Sequence, residues 1–204
     1  MNPDFISVYD EALTHKECVS IIDFIDNHDD LHIAELEGKV RSHIKDCYQC
    51  PDTTLDDNNI PAKILRKALY YSVNDYVKIH PQLNTCMDAW TPTPNYNLQK
   101  YLPKQGYHQL HTEVARGTHA YRTLVWMVYL NSVTDGGGTY FSSYDKTLDA
   151  VEGRFVIWPP YWTHPHKGIV SNTQTKYIAT GWCSFKRGIP MDQVVDMLAT
   201  SMTE

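Results

Sequence analysis

The sequence predicts a mainly β chain with N-terminal helices (α+β), organised as a two-sheet barrel or jelly roll whose helices cover one sheet from outside. Three observations lead there. The hydrophobic period changes from 3.6 to 2 near residue 95. The second half then alternates short apolar runs with Gly and Pro turns. The 204 residues suffice for one sizeable core but leave little for a second domain. The expected division of this single domain, 1–204, is helical support and first strands over 1–94, a jelly-roll core over 95–188 and a C-terminal helix over 189–204.

Residues 5–9 read as a short strand. A helix follows, with Thr14 as N-cap and Glu17 completing a capping box. Its apolar stripe is Cys18, Ile21, Ile22 and Ile25. A loop at Asp56, Asp57, Asn58 and Asn59 precedes a second helix that Pro61 starts, with Ile60, Ile64, Leu65, Ala68, Leu69 and Val73 at helical spacing until about His80-Pro81. Tyr70 and Tyr71 are expected to pack along it. Strands are expected over 95–102, 122–131, 139–142, 154–158 and 176–184. Gly136-Gly137-Gly138 reads as a hairpin turn, because no helix follows it to bind a phosphate.

Composition narrows the function. With 42% hydrophobic and 21% charged residues the chain is neither disordered nor fibrous, and a formal charge of −6 offers no footprint for a phosphate backbone. Nucleic acid is therefore not the expected partner. Nor is a membrane: the longest apolar runs, such as Leu124 to Leu130, are too short to span one, and Met-Asn-Pro-Asp-Phe lacks the pattern of a secretion signal. Five irregularly spaced cysteines suit a reducing compartment, so a cytoplasmic setting is expected. Cys47 and Cys50 form a single CxxC without a second pair and read as ordinary thiols.

His111-Thr112-Glu113 lies just past a strand, and residues i and i+2 of an extended segment project to one side. An imidazole and a carboxylate can thus converge. With ten histidines in the chain, one such pair is weak evidence alone. A third ligand can come from His164 or His166, returned to the same mouth by the strands between, and two His plus one carboxylate form the facial triad of non-haem Fe(II) oxygenases. Lys176 adds to this. It shares its strand side with Ile178, Thr180 and Trp182, so it points inward, where a lysine is costly unless paired. A dicarboxylate that also chelates the metal would meet that cost.

These residues resemble the 2-oxoglutarate and Fe(II)-dependent dioxygenases, particularly the prolyl 4-hydroxylase-like branch. The likeness spans most of the chain: YLPKQGYHQLHTE at 101–113, Arg122 to Asn131 with the GGGTYF turn at 136–141, His166-Lys167-Gly168, and Lys176 to Trp182. Even the opening strand and first helix are similar to that branch. The resemblance implies a double-stranded β-helix (jelly roll). It implies that His111, Glu113 and His166 hold Fe(II), that Lys176 pairs with the distal carboxylate of 2-oxoglutarate, and that O2 is cosubstrate, with ascorbate admitted as an auxiliary reductant. His166 is favoured over His164 because it fits the spacing to Lys176. Tyr101 is a second donor candidate for the cosubstrate, and Tyr129 and Thr180 are candidates to line its pocket, each with core packing as its plainer role. One departure stands out: Glu113 replaces the family's aspartate.

The implied activity is hydroxylation of a prolyl or other amino-acid side chain in a peptide or protein, releasing succinate and CO2. The alternatives are an oxygenase acting on a free small molecule, a metal enzyme using no 2-oxoglutarate, and a non-catalytic jelly-roll binding protein. Segments 38–58, with Arg41, His43 and Lys45 on an expected edge strand, and 117–121 are expected to border the substrate entrance. Oligomeric state is left open.

Overall fold

The computed structural model describes residues 4–36, 38–51 and 53–186. The C-terminal helix expected over 189–204 lies outside them. In chain order the elements are β1 (Ser7–Tyr9), α1 (His15–Asp26), β2 (His32–Ile33), β3 (Glu35–Leu36), β4 (Lys39–Val40), β5 (Tyr48–Gln49), α2 (Ile60–Ile79), α3 (Gln82–Thr85), β6 (Trp90–Tyr101), β7 (Arg122–Tyr129), β8 (Thr139–Phe141), β9 (Lys146–Leu148), β10 (Phe155–Trp158), β11 (His166–Gly168) and β12 (Lys176–Phe185). Every strand pairing is antiparallel. Seven strands form one sheet in the order β1-β10-β7-β12-β6-β5-β2, three form a second, β11-β8-β9, and β3 and β4 make a small hairpin.

The two faces of the large sheet explain the burial pattern. Leu124, Trp126 and Val128 of β7, with Phe155 and Ile157 of β10, pack with Cys18, Ile21 and Ile25 of α1 and with Leu65, Leu69 and Tyr76 of α2. The intervening Val125, Met127 and Tyr129, with Val156 and Trp158, pack with Phe141 and Leu148 of the small sheet. A strand covered on both faces must be apolar throughout, which is why β7 is buried from Thr123 to Tyr129.

The capping box at α1 is present in full: the Glu17 amide donates to Thr14 Oγ1 at 3.3 Å and Thr14 N donates to Glu17 Oε2 at 2.9 Å. The second helix starts one residue earlier than Pro61, because Asn59 accepts from the Ala62 amide at 2.9 Å and caps it. Tyr70 and Tyr71 correct an expectation, since both are exposed on the solvent side of α2. The triple glycine also differs from its reading. β7 and β8 belong to different sheets, so the turn carries the chain from one sheet to the other, with Gly136 and Gly137 both at positive φ. Residues 41–45 form a turn ending in a single bridge, Lys45 to Tyr107, instead of an edge strand.

Gly181 sits opposite Trp126 in the β12–β7 register, and a Cβ at 181 would overlap the indole. That ring is fully buried and stacked on Phe155, so it has little freedom to yield. Gly181→Ala is expected to cost about 3 kcal/mol and lower Tm by roughly 6–12 °C, read in a thermal melt; a shift under about 2 °C would show that the core gives way there.

Candidate active site

His111 and His166 face each other across an isolated antiparallel bridge, with His111 N donating to His166 O at 3.0 Å and His166 N donating to His111 O at 2.9 Å. Directly opposed residues bring their side chains together, and the two rings lie 4.4 Å apart. Glu113, two residues past His111, is pinned by its amide to the Pro160 carbonyl at 3.0 Å and turns its carboxylate into the same space. Glu113 Oε1 lies 3.4 Å from His111 Nε2 and 3.5 Å from His166 Nε2. Among the described residues these are the ones whose His, Cys, Asp or Glu donor atoms gather as a metal site, all within 4.8 Å of one another.

The surroundings aim these donors. Each histidine directs its Nδ1 at a backbone carbonyl, His111 to Gln109 at 3.0 Å and His166 to His164 at 2.9 Å. With Nδ1 protonated, each Nε2 keeps a lone pair for a cation. Glu113 Oε2, the oxygen turned from the histidines, accepts from Trp182 Nε1 at 2.9 Å and Arg122 at 3.0 Å. Burial opposes ionisation of this carboxyl, but before an ion binds, with both imidazoles protonated at Nε2 as well, their hydrogen bonds and positive charge outweigh it and hold its pKa well below the ordinary range; a bound cation takes the place of those two protons. The carboxylate is therefore charged, and its longer arm is anchored at the far oxygen. Tyr107 stacks on His111 with ring centres 3.7 Å apart.

His164 is turned away from this centre. Its Nε2 donates to the Asp4 carbonyl at 2.7 Å, and its ring lies beside Tyr144. His119, in the 117–121 segment, lines the cavity mouth but does not join the triad.

Lys176 opens β12 opposite Tyr101 of β6, and its ammonium lies 4.6 Å from the centre of that ring. It is only 6% exposed, and among the described residues it has no salt bridge. Burial lowers its pKa to about 8. It borders the same cavity, of about 1570 Å³, as the His-Glu-His cluster. Tyr101 also lines this cavity and donates to Gln99 Oε1 at 2.8 Å. Thr180 lines it too, although its hydroxyl donates to the Trp126 carbonyl at 2.9 Å. Tyr129 is placed elsewhere than expected: it is fully buried between the sheets, and its hydroxyl meets Thr139 Oγ1 at 2.7 Å, so Thr139 is the residue that faces the cavity. From the two segments expected at the entrance, Arg41, Ile44, Lys45 and Gln49 and Thr118, His119 and Tyr121 line this cavity.

Arg122 and the Trp182 contact to Glu113 were not anticipated. By alternation Arg122 should share the helix-covered side with Leu124 and Trp126. A bulge at Thr123, between the pairs Cys183–Leu124 and Ser184–Arg122, turns it to the cavity. There its guanidinium lies 3.7 Å from the centre of the Trp182 ring.

The donor set and the unpaired lysine fit a metal ion chelated by a dicarboxylate. Residues 96–184 match the model of the 2OG-Fe(II) oxygenase superfamily. No curated protein matches the chain. Among solved structures it is similar to the viral collagen prolyl hydroxylase of Paramecium Bursaria Chlorella virus-1 in complex with 2OG, with TM-score 0.67 and 16% identity over 91% of this chain and 98% of that one. A Pseudomonas putida prolyl-4-hydroxylase aligns with TM-score 0.67 and 15% identity, over 91% and 95% of the two chains. A Trichoplax adhaerens prolyl hydroxylase, in complex with a hypoxia inducible factor oxygen degradation domain peptide fragment, aligns with TM-score 0.68 and 16% identity, over 90% and 84%. At these identities the structural likeness speaks for the fold. The sequence match speaks for residues 96–184: this stretch is a 2OG-Fe(II) oxygenase domain by its family model, and the comparisons together support an oxygenase dependent on Fe(II) and 2-oxoglutarate.

Proposed function

We propose that His111, Glu113 and His166 hold the Fe(II), that Lys176 receives the distal carboxylate of 2-oxoglutarate, and that the enzyme hydroxylates a prolyl or other amino-acid side chain of a peptide or protein, with release of succinate and CO2. The scaffold in this reading is one domain, a jelly roll with α1 and α2 against its large sheet. The observation that carries the cosubstrate assignment is the buried ammonium of Lys176, which has no counterion among the described residues yet opens on the cavity that holds the triad. A buried cation is tolerated when a ligand completes it. The peptide fragment bound by the Trichoplax adhaerens enzyme supports a peptide substrate.

Iron and 2-oxoglutarate together supply the oxidative chemistry when bound. The chain's own residues set the geometry. His111 and His166 present Nε2 because backbone carbonyls occupy Nδ1. Arg122 and Trp182 hold Glu113 by its outer oxygen and leave Oε1 to the ion. Tyr101 supports the Lys176 ammonium through its ring. Met127, Trp158 and Ile178 give the cavity an apolar wall that limits water around the reacting groups.

The test is anaerobic. Fe(II) and 2-oxoglutarate added to the purified protein should produce the weak visible charge-transfer band of the chelate, and Glu113→Ala should lose it. A band that survives in Glu113→Ala removes this carboxylate from the ligand set. A panel of prolyl and other peptides, read by succinate release and the mass of one added oxygen, then tests the substrate class.

A further inference from the structure

Among the described residues Lys176 is one of two buried lysines on the cavity wall. Lys45 is also 6% exposed, and among the described residues it likewise has no salt bridge. Its backbone bridges to Tyr107, whose ring stacks on His111, so it stands on the wall beside the triad. Its ammonium donates to Gln49 Oε1 at 3.0 Å.

The amides around it have a direction. Tyr101 donates to Gln99 Oε1 at 2.8 Å, Gln99 Nε2 donates to Gln49 Oε1 at 3.3 Å, and Gln49 Nε2 donates to Asn97 Oδ1 at 3.0 Å. Gln49 Oε1 thus takes two donors and fills both its lone pairs. An ammonium has three N–H bonds, and Gln49 accounts for one. The chain runs so that donors are left over beside the cavity, and the ligand that completes such a wall is an acceptor with negative charge.

We propose that Lys45, oriented by Gln49, is a second carboxylate site in this cavity and that its ligand is a carboxylate of the substrate being oxidised. The inference rests on the cosubstrate reading above and follows from counting. 2-Oxoglutarate has two carboxylates; one chelates the metal with the ketone and the other takes Lys176. The cation at Lys45 is left for another molecule. A cavity of about 1570 Å³ is larger than the typical small-molecule pocket and leaves room for one. The substrate class is thus narrowed to a free carboxylic acid of amino-acid type or a peptide that presents its own carboxylate near the oxidised position.

The experiment uses the anaerobic protein loaded with Fe(II) and 2-oxoglutarate and titrates it calorimetrically with matched pairs: free amino acids and their amides, and short peptides with free or amidated C-termini. In the wild type at least one acid should bind roughly 30-fold or more tighter than its amide. Lys45→Met should erase that preference, Lys45→Arg should retain it, and in both the 2-oxoglutarate affinity read from the band should stay within about threefold. Preference among free amino acids marks a small-molecule substrate, and preference among peptides a peptide carboxylate. Acids and amides that bind alike, or not at all, overturn the proposal. So does Lys45→Met weakening 2-oxoglutarate tenfold, which would place Lys45 in the cosubstrate site. If Lys45→Met does not fold, Lys45→Gln, which keeps a donor toward Gln49, gives the same reading. Absence of the band in the wild type would instead report failure of the cosubstrate reading.

Discussion

His166→Ala is expected to abolish Fe(II) binding, whereas His164→Ala should leave it within about threefold, measured as iron retained after anaerobic reconstitution and desalting. The two histidines are two residues apart and both buried, so neither exposure nor composition separates them. Their hydrogen bonds do. His164 spends its Nε2 on the Asp4 carbonyl, where its task is to hold the segment before β1. His166 spends only Nδ1, leaving Nε2 within 3.5 Å of Glu113 Oε1. Removing it takes one of three protein donors from the ion and leaves a charged carboxylate facing a single imidazole, a loss of several orders of magnitude in affinity for a site of this size. His164→Ala should lower stability through the lost contact instead. The reverse pattern, with iron lost only in His164→Ala, would exchange their roles.

Much of this site was legible because short-range rules govern it. The i, i+2 rule placed His111 and Glu113 together, and the alternation of β12 put Lys176, Ile178, Thr180 and Trp182 on the cavity side. The capping box of α1 depends on four consecutive residues and was equally readable. What escaped depends on partners distant in sequence. Arg122 reaches Glu113 because a bulge shifts β7 against β12, and nothing in the local pattern at 122–124 announces a bulge. Tyr129 sits on the inner face as alternation requires, but Thr139 on the opposing sheet stands between it and the cavity. The strands β2 to β5 are two residues each, too short to carry a period. Tyr70 and Tyr71 have the helix propensity to continue α2, but only the packed fold shows which side of that helix meets the sheet.

Lys176→Met is expected to weaken 2-oxoglutarate by roughly 30- to 4000-fold while making the ligand-free protein more stable, and the opposite signs are the useful part. Truncating one member of a buried charge pair costs on the order of 2–5 kcal/mol of binding. Without the ligand, the same ammonium is a buried charge that burial disfavours, which is why its pKa falls to about 8. The unfolded chain keeps that proton up to the ordinary lysine value near 10.5, so between about pH 8 and 10.5 the unfolded state binds more protons than the folded one. Stability of the ligand-free wild type should therefore rise with pH across this window, and below it the charged lysine should cost up to about 3 kcal/mol. Methionine keeps much of the volume and removes that cost, so Tm at pH 7 should increase. Binding has the complementary dependence: the dicarboxylate needs the protonated lysine, so its Kd should be flat below about pH 7.5 and rise toward tenfold per pH unit above 8. Calorimetry in buffers of different ionisation enthalpy should show proton uptake on binding near pH 8 to 9 in the wild type and none in Lys176→Met. A lysine with a merely structural role would lose stability on substitution and leave both the affinity and the proton count unchanged, and that result would move the distal carboxylate away from Lys176.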